Sequence, residues 1–292
     1  MNCPVCNSSK TKHTGSIDRF SPTLTIDGCQ DCGSYFQNPP PANPDDFYDE
    51  GYYSGTSEYS YRDERAQYKY DQHVHISRLK NIKNTAKSGK LLDIGCSFGG
   101  FVKSALLFYD AYGLDVSPFA VKAGNEWLNE ERIFQGTIEE NLLSGNLKQN
   151  HYQVITMFEV AEHLHNPQKL FSEIYKLLAP NGVLIIQTAN FDAWQAKDLG
   201  LAYNYFMPGH LVYYTARGLE SMLRGLGYTI KKRYTPTDFS LLAKLKKSKG
   251  SFQTLFDYLR WLKIIKYHLQ SKFKKKGLPR TSSYVVYAQK SA

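Results

Sequence analysis

The 292-residue chain lacks the long apolar runs that membrane-spanning helices need. Nowhere do eighteen apolar residues follow one another, and Met1 to Pro4 form no charged-then-apolar leader. We therefore expect neither secretion nor a membrane-spanning helix, and we predict a cytoplasmic protein. Apolar residues make up 42% of the chain and charged residues 22%, so we expect a globular rather than a disordered protein.

Net charge is nearly absent from most of the chain. The total is +9, but residues 241–280 contain twelve Lys or Arg and a single acidic residue, Asp257. This segment therefore carries +11, and the remainder of the chain carries −2. Any argument from basic charge applies to this segment alone.

The strongest motif lacks the features of a phosphate-binding loop. Residues 90–101 read KLLDIGCSFGGF, in which a short apolar run ends at Gly95 and is followed by Gly99. The spacing D-x-G-x-x-x-G matches neither G-x-G-x-x-G nor G-x-x-x-x-G-K-[ST], and no Lys follows the second glycine. We infer a buried strand, a tight turn and a helix that suit a ligand without phosphates. We interpret Cys96 in this turn as a small packed residue rather than a nucleophile.

Cysteine is scarce, yet four of the five cysteines form two C-x-x-C pairs. Cys3 and Cys6 are separated from Cys29 and Cys32 by twenty-two residues. Two such pairs can supply the four-sulfur shell of a structural Zn²⁺ ion, and they leave no open position for catalysis. Disulfides are the alternative, and they fit poorly with a cytoplasmic protein. We therefore predict that residues 1–37 form a zinc-ribbon-like module.

Strand and helix patterns alternate after the glycine turn. Helical patterns separate five apolar strand patterns, at residues 91–94, 111–115, 132–134, 152–157 and 183–187. This alternation predicts an α/β fold with a mostly parallel sheet. Residues 228–234 and 282–289 add a sixth and a seventh strand, the last of them antiparallel. Such sheets bind ligands at the carboxyl ends of their strands, where the pattern places Asp93, Asp115, Thr137 and Glu159.

Three segments together resemble a known family: LLDIGCSFG at 91–99, GLDVSP at 113–118 and FEVAEHL at 158–164. Their order and spacing resemble those of the class I S-adenosylmethionine-dependent methyltransferases, over residues 89–226. With the C-x-x-C pairs, the chain is similar to a bacterial subgroup associated with methylation of sugars, polysaccharides and small molecules. The resemblance implies a Rossmann-like seven-stranded sheet and S-adenosylmethionine as cofactor. Ser97 stands where family members commonly carry a third glycine.

The resemblance also implies which residues meet the cofactor. Asp115 would hold the ribose hydroxyls, because a carboxylate about twenty residues beyond the glycine turn can accept their hydrogen bonds. The full set implied is Asp93, Gly95, Cys96, Ser97, Gly99, Asp115, Val116, Thr137, Ile138, Phe158 and Glu159. For Val116 and Phe158, simple core packing is the alternative.

Methyl transfer to a hydroxyl would gain about 10²–10⁴-fold from a general base. His163, after the fourth strand, and His210, in the region that the family folds as a lid, are the two candidates. His165 and Tyr213 are held in reserve. A single loop His is more often a hydrogen-bonding residue than a base, so this alternative stays open.

The acceptor is less defined than the cofactor. Seven aromatic residues favour a ring-bearing acceptor such as a sugar or glycan: Phe191, Trp194, Tyr203, Tyr205, Phe206, Tyr213 and Tyr214. No Asn-Pro-Pro-Tyr sequence follows the fourth strand, which argues against methylation of a base nitrogen. The sequence does not choose between oxygen, nitrogen and carbon as the methylated atom.

The remaining segments complete the predicted domain organisation. Residues 38–88 form a Pro/Tyr-rich linker and helical cap, and residues 89–240 with 281–292 form the methyltransferase domain. In the basic segment 241–280, apolar residues recur at helical spacing from Phe252 to Leu269, which predicts an amphipathic insertion. This helix either packs on the domain or lies on an anionic membrane, which would make the protein peripheral at the inner face and suit a lipid-linked acceptor.

Two other classes of function remain open. The first is an RNA methyltransferase with a zinc ribbon, although the cysteine-rich module shows no strong basic patch and we do not expect nucleic acid. The second is a non-catalytic module that binds S-adenosylmethionine or a protein partner.

Overall fold

A computed structural model describes residues 1–41 and 63–291. The chain begins with three antiparallel strands, β1 (Thr11–Ile17), β2 (Leu24–Cys29) and β3 (Tyr35–Gln37). A fourth strand of this small sheet comes from far along the chain, since β9 (Val212–Tyr213) pairs with β3. The N-terminal sheet is therefore completed by the segment that also carries His210.

Seven strands form the central sheet. In chain order they are β4 (Lys90–Ile94), β5 (Asp110–Asp115), β6 (Ile133–Gln135), β7 (Tyr152–Phe158), β8 (Leu178–Ala189), β10 (Tyr228–Tyr234) and β13 (Ser283–Lys290). Their spatial order is β10-β13-β8-β7-β4-β5-β6, and β13 runs antiparallel to both neighbours while the others are parallel. This confirms the predicted seven-stranded α/β fold with an antiparallel last strand.

Helices cover both faces of the central sheet. They are α1 (Glu64–Lys83), α2 (Gly100–Ala105), α3 (Pro118–Leu128), α4 (Ile138–Leu143), α5 (Pro167–Leu177), α6 (Trp194–Leu199), α7 (Ala216–Gly225), α8 (Leu241–Ser248) and α9 (Leu259–Ser271). Alternate strand residues enter two separate cores, as Leu92 packs in one and Leu91 in the other. The fully buried apolar strands therefore have a hydrophobic layer on each side, as a parallel sheet requires.

Short-range signals set the helix starts near the carboxyl edge of the sheet. The Ser117 hydroxyl accepts from the Ala120 amide at 3.3 Å, with Pro118 in the first turn of α3. Thr137 and Glu140 form a reciprocal capping box at the start of α4. These caps fix the loops that follow β5 and β6.

Helix α1 is attached to the sheet by a buried ion pair. The Arg78 guanidinium lies 2.8 Å from the Asp238 carboxylate, which also accepts a hydrogen bond from the Tyr287 hydroxyl at 2.9 Å. Tyr68 on the same helix packs edge-on against Trp127, while residues 42–62 of the predicted Pro/Tyr-rich linker lie outside the described residues. Helix α1 thereby covers the region beside the glycine turn.

The basic segment 241–280 contains two helices where the apolar spacing predicted one. Helix α8 ends before Gly250, and the Thr254–Asp257 capping box starts a new helical turn that leads into α9. A two-residue hairpin, β11 (Lys274–Lys275) and β12 (Leu278–Pro279), closes the segment. In the described part of the chain, no helix is both long and apolar enough to cross a membrane.

Asp93 is a buried carboxylate within β4. It accepts a hydrogen bond from the Thr156 hydroxyl of β7 at 2.6 Å, and burial raises the pKa of Asp93 to about 7. The folded protein therefore holds a proton that the unfolded chain releases above about pH 4. The stability that this proton contributes is fully present below about pH 4 and is lost as the pH rises to about 7.

We predict that Asp93→Asn removes this loss of folding stability with rising pH. Urea unfolding of the cofactor-free protein at several pH values should show wild type losing up to about 4 kcal/mol relative to the variant between pH 4 and 7. A constant difference between the two proteins over this range would contradict the prediction.

Candidate active site

A cavity of about 800 Å³ opens at the carboxyl ends of β4, β5, β6 and β7. Its volume is in the range of small-molecule and cofactor sites. Most of the residues that the family resemblance assigned to the cofactor line this cavity. They are Gly95, Ser97, Asp115, Val116, Thr137, Ile138, Phe158 and Glu159. The sheet brings together side chains that are as much as 64 positions apart, because its parallel strands all end at this edge.

The glycine turn forms one wall of the cavity. Gly95 has a φ of +69°, and a Cβ added there would lie 2.4 Å from Cγ2 of Val160. Only glycine therefore fits between the two loops without displacing Val160. Ser97 also adopts a positive φ, +52°, and its buried hydroxyl has no hydrogen-bond partner in the described residues.

The Asp115 carboxylate connects the ends of two neighbouring strands. One oxygen accepts from the Ser97 amide at 2.7 Å, and the other accepts from the Ser117 amide at 3.0 Å. Each carboxylate oxygen has a second lone pair, so the side chain can also accept from a bound ligand. Asp115 thus holds the glycine turn in place while facing the cavity.

Three residues of the implied set lie outside the cavity lining. Asp93 is within β4, Cys96 packs its sulfur against Gly113, and Gly99 caps the N-terminus of α2 with a φ of +80°. A Cβ on Gly99 would lie 2.7 Å from Ile133. These three residues support the glycine turn on the side that faces away from the cavity. Cys96 therefore lies where the sequence interpretation placed it, in a packed position.

Helix α1 contributes cavity residues that sequence reasoning missed. Glu64 accepts from the Gly100 amide at 2.9 Å, and burial raises the pKa of Glu64 to about 7. Arg78 lies with its guanidinium 4.0 Å from the Phe158 ring centre. No local motif marks these residues, because α1 reaches the cavity through tertiary packing alone.

Carboxylates outnumber fixed cations around the cavity. Six acidic residues line it against three Lys or Arg. Such an excess of negative charge suits a cationic ligand. S-adenosylmethionine carries a sulfonium and an ammonium group, so the electrostatics agree with the cofactor that the resemblance implies.

His163 lines the cavity after β7. Its Nδ1 lies 2.7 Å from the carbonyl oxygen of Gly209. A carbonyl can only accept, so Nδ1 carries the hydrogen and Nε2 carries the lone pair. Burial lowers the pKa of His163, which keeps the imidazole neutral near pH 7.

His210 lies behind His163, outside the cavity lining. The two ring centres are 4.7 Å apart, and Nδ1 of His210 donates to the Tyr205 carbonyl at 2.8 Å. Burial, with His163 as a neighbour, lowers the pKa of His210 to about 3. The structure therefore brings together the two predicted base candidates, with only His163 in direct reach of a bound ligand.

A buried carboxylate completes this cluster. Glu162 is 1% exposed and accepts from the Thr188 hydroxyl at 2.9 Å. Burial and the nearby Glu159 raise the pKa of Glu162. The ligand atoms of Glu162, His163 and His210 lie within 4.8 Å of one another, a set that could hold a metal ion. Sequence reasoning singled out the neighbours of Glu162 and missed Glu162 itself.

The N-terminal sheet supports the loop that carries His210. The Gln37 amide donates to the carbonyls of Pro208 at 2.9 Å and His210 at 2.7 Å. The Leu211 amide in turn donates to the Glu162 carbonyl at 2.8 Å. The two histidines are thus positioned by contacts that originate in residues 1–41.

The reserve candidates lie in different surroundings. His165 is exposed and lines the cavity, whereas Tyr213 is 1% exposed and packs in the core between the N-terminal sheet and the loop. Most of the seven aromatic residues expected to face a ring-bearing acceptor are buried here or nearby: Phe191, Tyr203, Phe206, Tyr213 and Tyr214. Their packing role removes most of the aromatic argument for a sugar acceptor.

The four N-terminal cysteines form a compact cluster. The sulfurs of Cys3 and Cys32 are 3.6 Å apart, and those of Cys6 and Cys29 are 3.5 Å apart. These separations exceed the roughly 2.05 Å of a disulfide bond. They are close to the roughly 3.8 Å that tetrahedral geometry gives for zinc–sulfur bonds of about 2.3 Å. The arrangement fits a four-sulfur metal site.

The sheet order, the glycine turn and the cavity at the strand ends agree with the class that the sequence resemblance implies, a domain of the S-adenosylmethionine-dependent methyltransferase type. A family model described as a methyltransferase domain matches residues 62–232, which is more than half of the chain. The chain belongs to this methyltransferase-domain family.

Individual relatives are distant. The ubiquinone biosynthesis O-methyltransferase of Histophilus somni is 30% identical over 49% of this chain and 65% of its own length. The sterol 24-C-methyltransferase of Candida albicans is 23% identical over 85% of this chain and 71% of its own. The chain thus spans less than two thirds of the first relative.

A solved structure shows the same fold. Phosphoethanolamine N-methyltransferase 2 of Haemonchus contortus, in complex with S-adenosyl-L-methionine, superimposes with a TM-score of 0.52 at 15% identity. The match covers 96% of this chain and 71% of that one. These relatives methylate different atoms by name, so they do not define the acceptor.

We predict that Asp115→Asn weakens S-adenosylmethionine binding by about 10- to 150-fold. Hydrogen bonds to a charged group contribute about 1.5–3 kcal/mol, and the variant loses that charge. Isothermal titration calorimetry measures the change. Asp110→Asn is the matched control, because Asp110 begins the same strand at the far edge and pairs with Lys90 and Arg132. Equal affinities for the two variants would contradict the assignment.

Proposed function

We propose that this chain transfers the methyl group of S-adenosylmethionine to a hydroxyl of a small ring-bearing acceptor. The observation that carries the proposal is the neutral His163 imidazole at the cavity wall. Its Nδ1 hydrogen is used by the Gly209 carbonyl at 2.7 Å, so Nε2 is the atom that can take a proton. A proton acceptor beside the methyl donor is what an oxygen nucleophile requires.

The reaction needs positioning more than covalent chemistry. The acceptor oxygen attacks the methyl carbon in line with the departing sulfur, the carbon–sulfur bond breaks, and S-adenosylhomocysteine leaves with the bonding electron pair. The acceptor hydroxyl gives its proton to Nε2 of His163. The Glu159 carboxylate, which favours the charged form of His163, would stabilise the imidazolium that forms.

The size of the cavity and the name of one relative support the acceptor class that we propose. About 800 Å³ accommodates the cofactor and a small ring compound together. Phenolic rings, quinols and sugars all present ring hydroxyls. The printed name of the Histophilus somni relative, a ubiquinone biosynthesis O-methyltransferase, supports the phenolic class. On the basis of this printed name, we favour a phenolic or quinol ring over a sugar or glycan.

We predict that His163→Ala lowers kcat by about 10²–10⁴-fold and leaves S-adenosylmethionine affinity unchanged. His210→Ala should lower kcat less, because His210 lies outside the cavity lining and packs on His163. Transfer of a radiolabelled methyl group to a panel of catechols, hydroquinones and hexoses measures the rates. His151→Ala, at the opposite end of β7, is the control. Full activity of His163→Ala would remove the base assignment.

The alternative is that Glu162, His163 and His210 bind a metal cation. A divalent ion on Glu162, His163 and His210 would lower the pKa of a bound hydroxyl and replace the base. Under our proposal, adding Mg²⁺ or Mn²⁺ to protein purified with EDTA leaves the rate unchanged. A rate that depends on the added ion would assign the three residues to metal binding.

We also propose that Cys3, Cys6, Cys29 and Cys32 hold a structural zinc ion. Their sulfur geometry supports this, and four thiolates leave no open position, so the ion would act on folding rather than on chemistry. The Cys32 carbonyl accepts from the Thr215 hydroxyl at 2.7 Å, just after β9. Loss of the ion should therefore also disturb the loop that carries His210.

We predict that the purified protein contains about one zinc per chain. Cys32→Ser should lose this zinc and unfold at a lower temperature, since metal binding contributes to folding free energy. Cys96→Ser is the matched control and should keep its zinc, because Cys96 lies in the glycine turn. Elemental analysis and thermal denaturation measure both. Zinc-free wild-type protein of unchanged stability would contradict the proposal.

A further inference from the structure

The basic segment 241–280 presents large apolar side chains to solvent. Of fourteen such side chains exposed in the described residues, nine lie in this segment. Seven of them have exposed fractions between 49% and 86%: Leu242, Leu255, Phe256, Leu259, Leu262, Leu269 and Phe273. Exposed apolar groups this concentrated indicate an interaction surface.

Five of these seven side chains lie on or beside α9 and form a stripe. Leu259, Leu262 and Leu269 share one face by helical spacing, and Leu255 and Phe273 extend it at each end. Trp261 lies on the opposite face and donates to the Ser248 hydroxyl of α8 at 3.0 Å. A helix that only covered the domain would bury its apolar stripe. Helix α9 instead packs by its other side and turns the stripe outward.

Positive charge surrounds the stripe. Lys263 and Lys266 are exposed on the same side of α9. Within the described part of the chain, a carboxylate pairs with only two of the segment's twelve Lys or Arg, namely Lys247 and Arg260. An apolar stripe enters the acyl boundary of a bilayer, and flanking lysines reach the headgroups. Anionic headgroups match the +11 charge of the segment.

We propose that α9 and the turn before it lie in the interface of an anionic lipid membrane. The segment adjoins the candidate active site, because Lys247 of α8 lines the cavity, as does Phe239 just before the segment. Docking would place the cavity beside the bilayer. On the basis of the proposed function, the acceptor would then be an amphiphile whose ring is held at the membrane surface.

Vesicle flotation tests the docking. The full chain should float with phosphatidylcholine vesicles containing about one third phosphatidylglycerol and should stay in solution with phosphatidylcholine alone. The double variant Leu255→Asp/Phe256→Asp should lower the partition coefficient by about tenfold or more, because two apolar anchors are lost. Lys263→Glu/Lys266→Glu should lose at least about tenfold on anionic vesicles.

Leu143→Asp is the matched control, since Leu143 is an 84% exposed leucine on α4, outside the segment. It should float like wild type. S-adenosylmethionine affinity should be unchanged in all variants, which shows that they fold. Failure of wild type to float, or flotation of the Leu255/Phe256 variant equal to wild type, would overturn the proposal.

If the surface binds a partner other than a membrane, the experiments would give different results. Salt-sensitive binding of RNA without vesicle binding, or a dimer that the Leu255/Phe256 variant dissociates without vesicle binding, would overturn the proposal. The methyl-transfer assay is separate. An active enzyme that does not float refutes the docking alone, and a floating protein that transfers no methyl group refutes the proposed function alone.

Discussion

The carboxylate of Asp115 is the interaction on which the candidate site depends. It accepts from the amides of Ser97 and Ser117 and so ties the glycine turn after β4 to the loop after β5. Ser97 holds a positive φ in this position. Without the tie, the turn would lose the partner that favours this conformation. One buried side chain thus holds both the glycine turn of the cavity wall and the backbone that leads into α3.

A second series of contacts connects the N-terminal cysteines to His163, the proposed base. The cysteine cluster lies at the turn between β2 and β3. Strand β3 ends at Gln37, whose side-chain amide donates to the carbonyl of His210. His210 packs on His163, and Gly209 accepts the hydrogen that defines the His163 tautomer. The ribbon-like sheet is therefore part of the active-site support, since β9 completes it. A structural metal could influence catalysis in this way without touching the substrate.

Several features were open to prediction from local sequence. The apolar runs and the intervening helical patterns gave the seven-stranded sheet, because strand and helix periodicities are local. Gly95, Asp115 and Glu159 could be placed at strand ends for the same reason. Helix α1 could not be connected to the site in this way. Glu64 and Arg78 reach the cavity through packing between distant segments, and no spacing rule relates them to the glycine turn.

The sequence by itself determined the fold class, the residues at the carboxyl ends of the strands and the composition of the basic segment, since each depends on neighbouring residues. Only the tertiary structure decided three further matters. It placed His163 at the cavity with His210 behind it. The tertiary structure also buried most of the aromatic residues near the loop that carries His210. It also turned the apolar stripe of α9 outward. Periodicity shows that a helix has an apolar face, whereas packing against the rest of the chain decides where that face points.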